Sequence, residues 1–318
     1  MRGLQNDAKG KPGLLLLSSN WDALLGGALD NRFEIIRLWE ASDPDALLAA
    51  RGAEVVATLT TNINESLLDR LPNLRLIAVP GAGYENVAVD AARSRGVTVA
   101  NAGDTHSADV ADHAVALTLS AIHRLPELQD WVRDGSWQSG GFPERRHALS
   151  AQRFGVVGLG HIGTAIAERL TVFGGEVAWW GPQDKPARWP RHESLIDLAR
   201  WCSVLIVAVR GDTEGLIDAE TIGAVGPEGL IVNITRGAVI DEDALIDALK
   251  AGRLGRAALD VLAQEPAAPE RWRDVPNIIL TPHVAGVSQE SMIRLRQVAI
   301  RNLETILDGG SVVNEVTA

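Results

Sequence analysis

Three residues whose side chains suit proton transfer and anion binding follow apolar stretches in the second half of the chain. Arg236 occurs in "IVNITRGAVID", Glu265 in "AALDVLAQEP" and His283 in "IILTPHVAG". If each stretch is a strand of one parallel sheet, these side chains meet at its carboxyl edge, where doubly wound sheets bind ligands. An arginine, a carboxylate and a histidine in one cleft suit the reduction of a 2-oxo acid. The spacing therefore predicts a catalytic set.

Each member of this set has a definite predicted role. The planar guanidinium of Arg236 can hold a substrate carboxylate and polarise its keto oxygen. His283, as the imidazolium, can protonate that oxygen while hydride arrives from a nicotinamide. Glu265, hydrogen-bonded to the imidazole, would favour the protonated ring and fix its orientation. Taken singly each is equally well an ordinary loop residue, and their combination favours catalysis.

A glycine motif typical of dinucleotide sites stands in "RFGVVGLGHIGTAIAERL", with an apolar strand before it and a helix after it. Gly158 allows the tight turn, Gly160 lets a pyrophosphate approach, and Gly163 lets the helix pack on the strand. The anion would rest on the helix N-terminus, contacted by the backbones of His161 and Ile162. The alternative is a glycine turn that binds nothing.

The identity of the dinucleotide depends on the next strand and its turn, "EVAWWGPQDKP". An NAD site normally has a carboxylate about 20 residues after the first glycine, but Trp180–Pro182 has none. Its absence removes the repulsion that would exclude a 2′-phosphate. Gly181 and Lys185, which lies a few residues beyond it, are therefore predicted to contact the cofactor. Asp184 could instead serve NAD, and Arg210 is a further candidate cation. We favour NADP(H) over NAD(H).

Three further residues complete the expected cofactor contacts. They are Thr235, Asp260 and Gly286, which lie close to the catalytic candidates in sequence. Asp260 at the end of its strand either neighbours the nicotinamide or is a solvated charge.

Strand and helix patterns alternate along most of the chain, which predicts parallel sheets covered on both faces. In the first third, strands are expected in "GLLLLSS", "AEVVATLT", "LRLIAVPGAG" and "VTVANAG". A helix of about five turns is expected over 105–125, and an amphipathic helix in "SQESMIRLRQVAIRNLETILDGG". In the second unit the expected strands are Phe154–Gly158, Glu176–Trp180, Val204–Val209, Leu230–Asn233, Ala257–Leu262 and Ile278–Thr281.

Composition narrows the class of protein. The 318 residues are 46% hydrophobic, which is enough for two domains, and the formal net charge of −11 disfavours nucleic acid as a partner. The single cysteine, Cys202, excludes an internal disulfide framework and a thiol cluster for a metal. Four leucines near the start are too few for a membrane span or signal segment. We expect a cytoplasmic protein with no membrane contact.

The motifs "VGLGHIG", "VNITRGAVIDEDAL", "GRLGRAALDVLAQEP" and "TPHVAG" stand in the order of the D-isomer-specific 2-hydroxyacid dehydrogenase family, which the sequence resembles over nearly its whole length. "RLWEASDP" and "PGAGYENVAVDAARSRGV" make it most similar to the NADPH-preferring glyoxylate, hydroxypyruvate and hydroxyphenylpyruvate reductases. The resemblance implies that Arg236, Glu265 and His283 are catalytic. It also implies that the backbone of Ala82 and Gly83 binds the substrate carboxylate. Related NADP-type members place a Ser-Arg pair where this chain has Gly181–Pro182.

We therefore predict an α/β protein of two doubly wound domains, a Rossmann cofactor domain and a flavodoxin-like substrate domain, with the active site in a cleft between them. The substrate domain is 1–100 with 285–318, and the cofactor domain is 101–284. Trp131 and Trp137 are candidates for a homodimer contact, for a cap on the core or for reaching a partner's active site. The expected reaction is NAD(P)H-dependent reduction of a small 2-oxo acid, such as glyoxylate, hydroxypyruvate or an arylpyruvate, to the D-2-hydroxy acid.

Two alternatives stay open at the level of sequence. One is another dehydrogenase on the same scaffold, acting on formate, phosphite or phosphoglycerate. A phosphorylated substrate would need a basic cluster near "TLTTNINES", which has none. The other is a nucleotide-sensing scaffold without turnover, like the transcriptional corepressors of this fold.

Overall fold

The computed structural model describes residues 10–140, 145–211 and 213–317 and divides into two compact units. One unit is formed by the chain up to Thr105 together with the chain from Ser288 onward, and the other runs from His106 to Val287. The domain boundaries predicted from sequence lie a few residues earlier at both places and stay a prediction.

The bounds of the regular elements are as follows. The strands are β1 (Gly13–Leu16), β2 (Glu34–Arg37), β3 (Val55–Leu59), β4 (Leu76–Ala78), β5 (Thr98–Ala100), β6 (Arg153–Val157), β7 (Glu176–Trp180), β8 (Val204–Val207), β9 (Leu230–Asn233), β10 (Arg256–Leu259) and β11 (Ile278–Leu280). The α-helices are α1 (Ser19–Leu25), α2 (Pro44–Arg51), α3 (Glu65–Leu68), α4 (Val89–Ser94), α5 (Ser107–His123), α6 (Leu125–Arg133), α7 (His161–Thr171), α8 (Leu195–Trp201), α9 (Ala219–Val225), α10 (Glu242–Lys250), α11 (Pro269–Trp272) and α12 (Gln289–Leu307). Short 3-10 turns cover Leu38–Glu40, Gly52–Glu54, Ser136–Ser139, Leu149–Ala151 and Gly237–Val239.

The sheet of the first unit has the order β2-β1-β3-β4-β5, and its pairs are parallel. This is the flavodoxin-like order, in which the strand sequence reverses between β1 and β3. The leucine run forms the fully buried strand β1, because a parallel sheet is covered on both faces. Helix α12 packs Ala299, Leu303 and Ile306 into one of the two cores of this unit.

The sheet of the second unit has the order β11-β10-β9-β8-β6-β7, again with parallel pairs, and its strand sequence reverses between β6 and β8. All six strands predicted for this unit are present, so the predicted fold class is confirmed. Two of the predicted strands end one residue early, at Val157 and Leu280, and two end two or three residues early, at Val207 and Leu259. Val207 and Leu259 both pair with Asn233, the last residue of β9, so beyond it their shared neighbour is no longer a strand.

The ends of the two long helices follow from their sequence. Helix α5 occupies most of the predicted span over 105–125 and buries small residues such as Ala111 and Ala114. Helix α12 begins at a capping box, in which Ser288 and Ser291 satisfy each other's backbone N–H groups. Across the described ranges, no helix combines the length and the apolar character that crossing a membrane would need.

Candidate active site

In the turn between β6 and α7, each glycine of the motif is required for a different physical reason. Gly158 has φ +90°, a backbone conformation that side chains disfavour, and a Cβ there would lie 2.8 Å from the carbonyl oxygen of Ala208. A Cβ on Gly163 would collide with the carbonyl oxygen of Gly158. A Cβ on Gly160 would meet nothing, so this glycine faces open space. These are the three features that a pyrophosphate turn requires.

The N-terminus of α7 presents a row of unused hydrogen-bond donors. Gly160 is its N-cap without a side-chain capping bond, and in the described chain no acceptor pairs with the N–H groups of Gly160, His161, Ile162 and Gly163. Successive free N–H groups at a helix N-terminus favour an anion. His161 is exposed and Ile162 packs against the core, so their backbones are the parts available to a phosphate. These residues fit the pyrophosphate of a dinucleotide.

The turn after β7 is the place where an NAD site has the carboxylate that binds the ribose. In this chain the turn packs against the indole of Trp179. Trp179 is 1% exposed, and a Cβ on Gly181 would lie 3.1 Å from its ring. The ammonium of Lys185 lies 5.8 Å from the centre of that ring and donates a hydrogen bond to the carbonyl of Leu159 in the glycine turn. Lys185 therefore joins the two turns that would face the adenine ribose. Arg210 is exposed beyond β8.

Glu265 and His283 form a direct pair at the carboxyl edge of the second sheet. Oε2 of Glu265 is 2.7 Å from Nδ1 of His283, and Oε1 accepts a hydrogen bond of 2.9 Å from the N–H of Leu262. With Nδ1 donating to the carboxylate, Nε2 is the ring nitrogen left to exchange a proton, and within the described residues it has no partner. The imidazole is 47% exposed, so a substrate can reach it.

Arg236 is held in its turn by the buried side chain of Asn233. Nδ2 of Asn233 donates to the carbonyl of Arg236 (2.9 Å), and Oδ1 accepts from both N and Oγ1 of Thr235 (3.0 and 2.8 Å). Nη1 of Arg236 donates to the carbonyl of Thr235 at 2.6 Å. A Cβ on Gly237 would collide with the backbone of Leu262, so this turn lies against the loop that carries Glu265. The structure thus brings the three catalytic candidates to one edge.

His283 has a left-handed backbone, with φ +55°, which is costly for a residue with a side chain. Several hydrogen bonds to Asp260 stabilise this conformation. The Asp260 carbonyl accepts from the N–H of His283 (2.8 Å), and the carboxylate accepts from the N–H groups of Val284 (3.0 Å) and Ala285 (2.8 Å). We therefore regard Asp260 as a positioning residue for His283.

The Asp260 side chain has no exposed surface. It also accepts from Oγ1 of Thr281 at 2.5 Å, and Nε2 of His113 lies 3.1 Å from that hydroxyl and 3.4 Å from the carboxylate. The alternative of a solvated charge is therefore wrong, because burial leaves it no water. A contact between Asp260 and a nicotinamide stays a prediction, as do the contacts of Thr235 and of Gly286, where an added Cβ would lie 3.1 Å from the ring of His106.

The predicted substrate loop belongs to the first unit. The carbonyls of Gly81 and Ala82 accept from N of Ala102 (2.9 Å) and Nδ2 of Asn101 (2.7 Å). Among the described residues no acceptor pairs with the N–H groups of Gly81, Ala82 and Gly83. Three successive free N–H groups form a nest that suits a carboxylate.

Comparison with known proteins decides the family. The model of the D-isomer specific 2-hydroxyacid dehydrogenase NAD binding domain matches residues 115–285. A hydroxyphenylpyruvate reductase from Plectranthus scutellarioides is 34% identical over 91% of this chain and 94% of its own, and a 2-ketogluconate reductase from Gluconobacter oxydans is 38% identical over 76% and 79%. The crystal structure of the NADPH-dependent glyoxylate/hydroxypyruvate reductase from Sinorhizobium meliloti, in complex with NADP and malonate, has a TM-score of 0.87 at 32% identity, covering 97% of both chains.

The chain belongs to the D-isomer-specific 2-hydroxyacid dehydrogenase family. The resemblance seen in its motifs is thereby confirmed, and the protein is an oxidoreductase. Its single cysteine, Cys202, is buried, and burial raises the pKa of its thiol to about 12.

Two residues of this dehydrogenase escaped the sequence reasoning. His113 lies on α5, and its ring reaches the Asp260 carboxylate. Arg191 returns to β7 through a single parallel bridge to Trp179, and its Nη2 donates to the carbonyl of Gly181 at 2.8 Å. Its guanidinium lies 5.7 Å from the centre of the Trp179 ring. The arginines of "RWPRH", which follow the turn after β7 closely, were the signal in the sequence for a further cation near that turn.

Proposed function

We propose that this dehydrogenase reduces small 2-oxo acids to D-2-hydroxy acids with NADPH as the preferred reductant. The observation that carries the proposal is the pair formed by Glu265 and His283. It lies at the same sheet edge as Arg236 and in the same unit as the pyrophosphate turn. A half-exposed imidazole with one nitrogen on a carboxylate is a proton donor, and a neighbouring arginine suits the charge of a 2-oxo acid.

The residues divide the reaction between them. The N–H groups of Ala82 and Gly83 bind the substrate carboxylate, and the guanidinium of Arg236 binds it as well and polarises the keto oxygen. A bound reduced nicotinamide supplies the hydride that reaches the carbonyl carbon. The proton on Nε2 of His283 passes to the keto oxygen, and the Glu265 carboxylate stabilises the imidazolium before that transfer. Asp260 keeps the imidazole in place throughout.

The preference for NADPH rests on charge at the turn after β7. No carboxylate stands in Gly181–Pro182 to repel a 2′-phosphate, and Lys185 and Arg191 supply two cations beside the same indole. Arg191 thus replaces the arginine that related NADP-type members carry in the turn itself. The NADP complex of the Sinorhizobium meliloti reductase supports this preference.

The experiment that tests the function follows NADPH and NADH oxidation at 340 nm with glyoxylate, hydroxypyruvate, pyruvate and phenylpyruvate. We expect turnover with at least one of these acids and a kcat/KM about tenfold or more higher with NADPH than with NADH. Turnover only with formate, phosphite or a phosphorylated acid would support the other dehydrogenases. Cofactor binding without any turnover would support a nucleotide sensor.

Replacing Arg191 by alanine is expected to raise the Kd for NADPH by roughly 10- to 100-fold, the range of one charge-assisted hydrogen bond. The Kd for NADH should stay within about twofold, because the 2′-hydroxyl has no charge for Arg191 to bind. Fluorescence titration of the reduced cofactors measures both constants. Arg188→Ala is the matched control, since Arg188 is exposed and stacks on Trp189. An equal loss of affinity for both cofactors would mean that Arg191 only stabilises the turn after β7.

We also propose that the enzyme is a homodimer. Leu125, Val132 and Trp137 are 53%, 53% and 61% exposed on α6 and the turn after it, an apolar surface suited to a second copy. Light scattering on the full chain decides this point, and a monomeric mass contradicts it. We propose a cytoplasmic location, where the one thiol would stay reduced, and cell fractionation tests it.

A further inference from the structure

Helix α5 lies along the loop that carries His283. His106, which is the N-cap of α5, and His113 are about two helical turns apart, so they share one side of the helix. An added Cβ on Gly286 would lie 3.1 Å from the ring of His106. Nε2 of His113 lies 3.1 Å from Oγ1 of Thr281. The same side of α5 therefore contacts the loop both before and after His283.

The hydroxyl of Thr281 fixes the direction of the hydrogen bonds between this helix and Asp260. Oγ1 of Thr281 lies 2.5 Å from Oδ1 of Asp260, a carboxylate oxygen that also accepts from the N–H of Val284. The hydroxyl has one hydrogen, and the bond to the carboxylate uses it. Toward His113 the hydroxyl can therefore only accept, so Nε2 of His113 carries a hydrogen. The two bonds form a relay from His113 through Thr281 to Asp260, which we call the Thr281 relay.

His113 is also the basic side chain that faces the buried carboxylate of Asp260. Its Nε2 lies 3.4 Å from Oδ1, and within the described ranges no lysine or arginine pairs with this carboxylate. Burying a carboxylate is costly unless hydrogen-bond donors or a cation face it. Without His113, Asp260 would lose the basic group beside it and the bond that orients the Thr281 hydroxyl.

We propose that His113 is a positioning residue for the reaction, and that it acts through the Thr281 relay on Asp260. This inference rests on the proposed function, in which His283 gives the proton. The Asp260 carboxylate holds the N–H groups of the two residues after His283, so a carboxylate that turned away would release the left-handed backbone and tilt the imidazole. A misaligned proton donor lowers kcat but leaves KM almost unchanged, because other groups bind the substrate carboxylate.

The tautomer of His113 tests the relay without any turnover. Long-range proton–nitrogen NMR on the full chain reports the ring nitrogens of its seven histidines, and His113→Gln removes the signals to be assigned. We expect a hydrogen on Nε2 of His113, and a bare Nε2 would overturn the inference. In Thr281→Val the ring signals of His283, assigned with His283→Asn, should shift. Unshifted signals would show that the relay does not reach the imidazole.

The kinetic test breaks the relay at two places. Thr281→Val exchanges the hydroxyl for a methyl group of similar size, and His113→Phe keeps a ring but has no donor. With the best 2-oxo acid, each variant should lose roughly 10- to 100-fold in kcat while KM stays within about twofold. The double variant should be no slower than the slower single variant, because both substitutions break the same relay. His113→Gln, whose amide N–H can reach the hydroxyl, should regain most of the lost rate.

His123→Phe is the matched control, since His123 lies at the other end of α5 and accepts a hydrogen bond from Nε of Arg146. Its kcat and its His283 signals should equal those of the wild type. If His113→Phe has a lowered unfolding midpoint, Thr281→Val and His113→Gln decide the question.

Three kinetic results would each overturn the inference and leave the reductase function standing. They are a wild-type kcat in Thr281→Val, a loss in the double variant equal to the product of the two single losses, and a His113→Gln variant as slow as His113→Phe. A wild type without turnover on any 2-oxo acid would instead reject the proposed function. The tautomer of His113 and the signals of His283 would then still decide whether the relay holds the imidazole.

Discussion

Replacing His283 by asparagine is expected to lower kcat about 10²- to 10⁴-fold with the best 2-oxo acid, the contribution typical of a general acid. The physical reason is that Nε2 is the one nitrogen of the Glu265–His283 pair left to give a proton. Asparagine tolerates the left-handed backbone that His283 adopts, so the loop held by Asp260 should keep its shape. Stopped-flow and steady-state rates at 340 nm measure the loss.

The Kd for NADPH and the unfolding midpoint should stay near the wild-type values in this variant. His147→Asn is the matched control, because His147 is exposed and lies outside the site. Glu265→Gln should lower kcat less than loss of the imidazole does. The amide oxygen can still accept a hydrogen bond from Nδ1, but it no longer carries the negative charge. An asparagine variant that keeps a large part of kcat would remove His283 from the mechanism.

Replacing Arg236 by lysine is expected to lower kcat/KM about 10²- to 10⁴-fold, although the charge is kept. Two charge-assisted hydrogen bonds from a planar fork, each about 1.5 to 3 kcal/mol, are exchanged for a point charge on a flexible stem. The hydrogen bond from Nη1 to the carbonyl of Thr235 fixes one arm of the guanidinium, and a lysine ammonium cannot reproduce that planar geometry. Both KM and kcat should change, because the group binds the carboxylate and polarises the keto oxygen.

Arg253→Lys is the matched control, since Arg253 is exposed after α10. The variant Arg236→Ala should be inactive and should regain part of its rate when guanidinium chloride is added at low concentration, whereas ammonium should restore little. Equal rescue by both cations would show that only charge matters at this position. No loss in the lysine variant would contradict the role of the fork.

The sequence alone was enough to predict the fold class and to select the catalytic candidates. Strands such as β6, β8 and β9 are continuous apolar runs because a parallel sheet is buried on both faces. They can therefore be predicted from the sequence pattern alone. The glycine turn is readable for a similar reason, since each of its glycines answers a local steric demand. Arg236, Glu265 and His283 were selected because each follows such a run closely.

The tertiary structure decided what lies between elements that are distant in the chain. Arg191 reaches the cofactor turn through one bridge to β7, and Asp260 is buried beneath His283 by donors from a different loop. Leu17 and Thr60, which follow β1 and β3, line the same pocket because these two strands, which are not consecutive, lie side by side. Periodicity and turn chemistry report on local backbone geometry, whereas the burial and partners of a polar side chain depend on strand order and long-range packing. This protein's sequence therefore determined its scaffold and its reaction class, and only the folded chain determined how the histidine is held and which buried groups hold it.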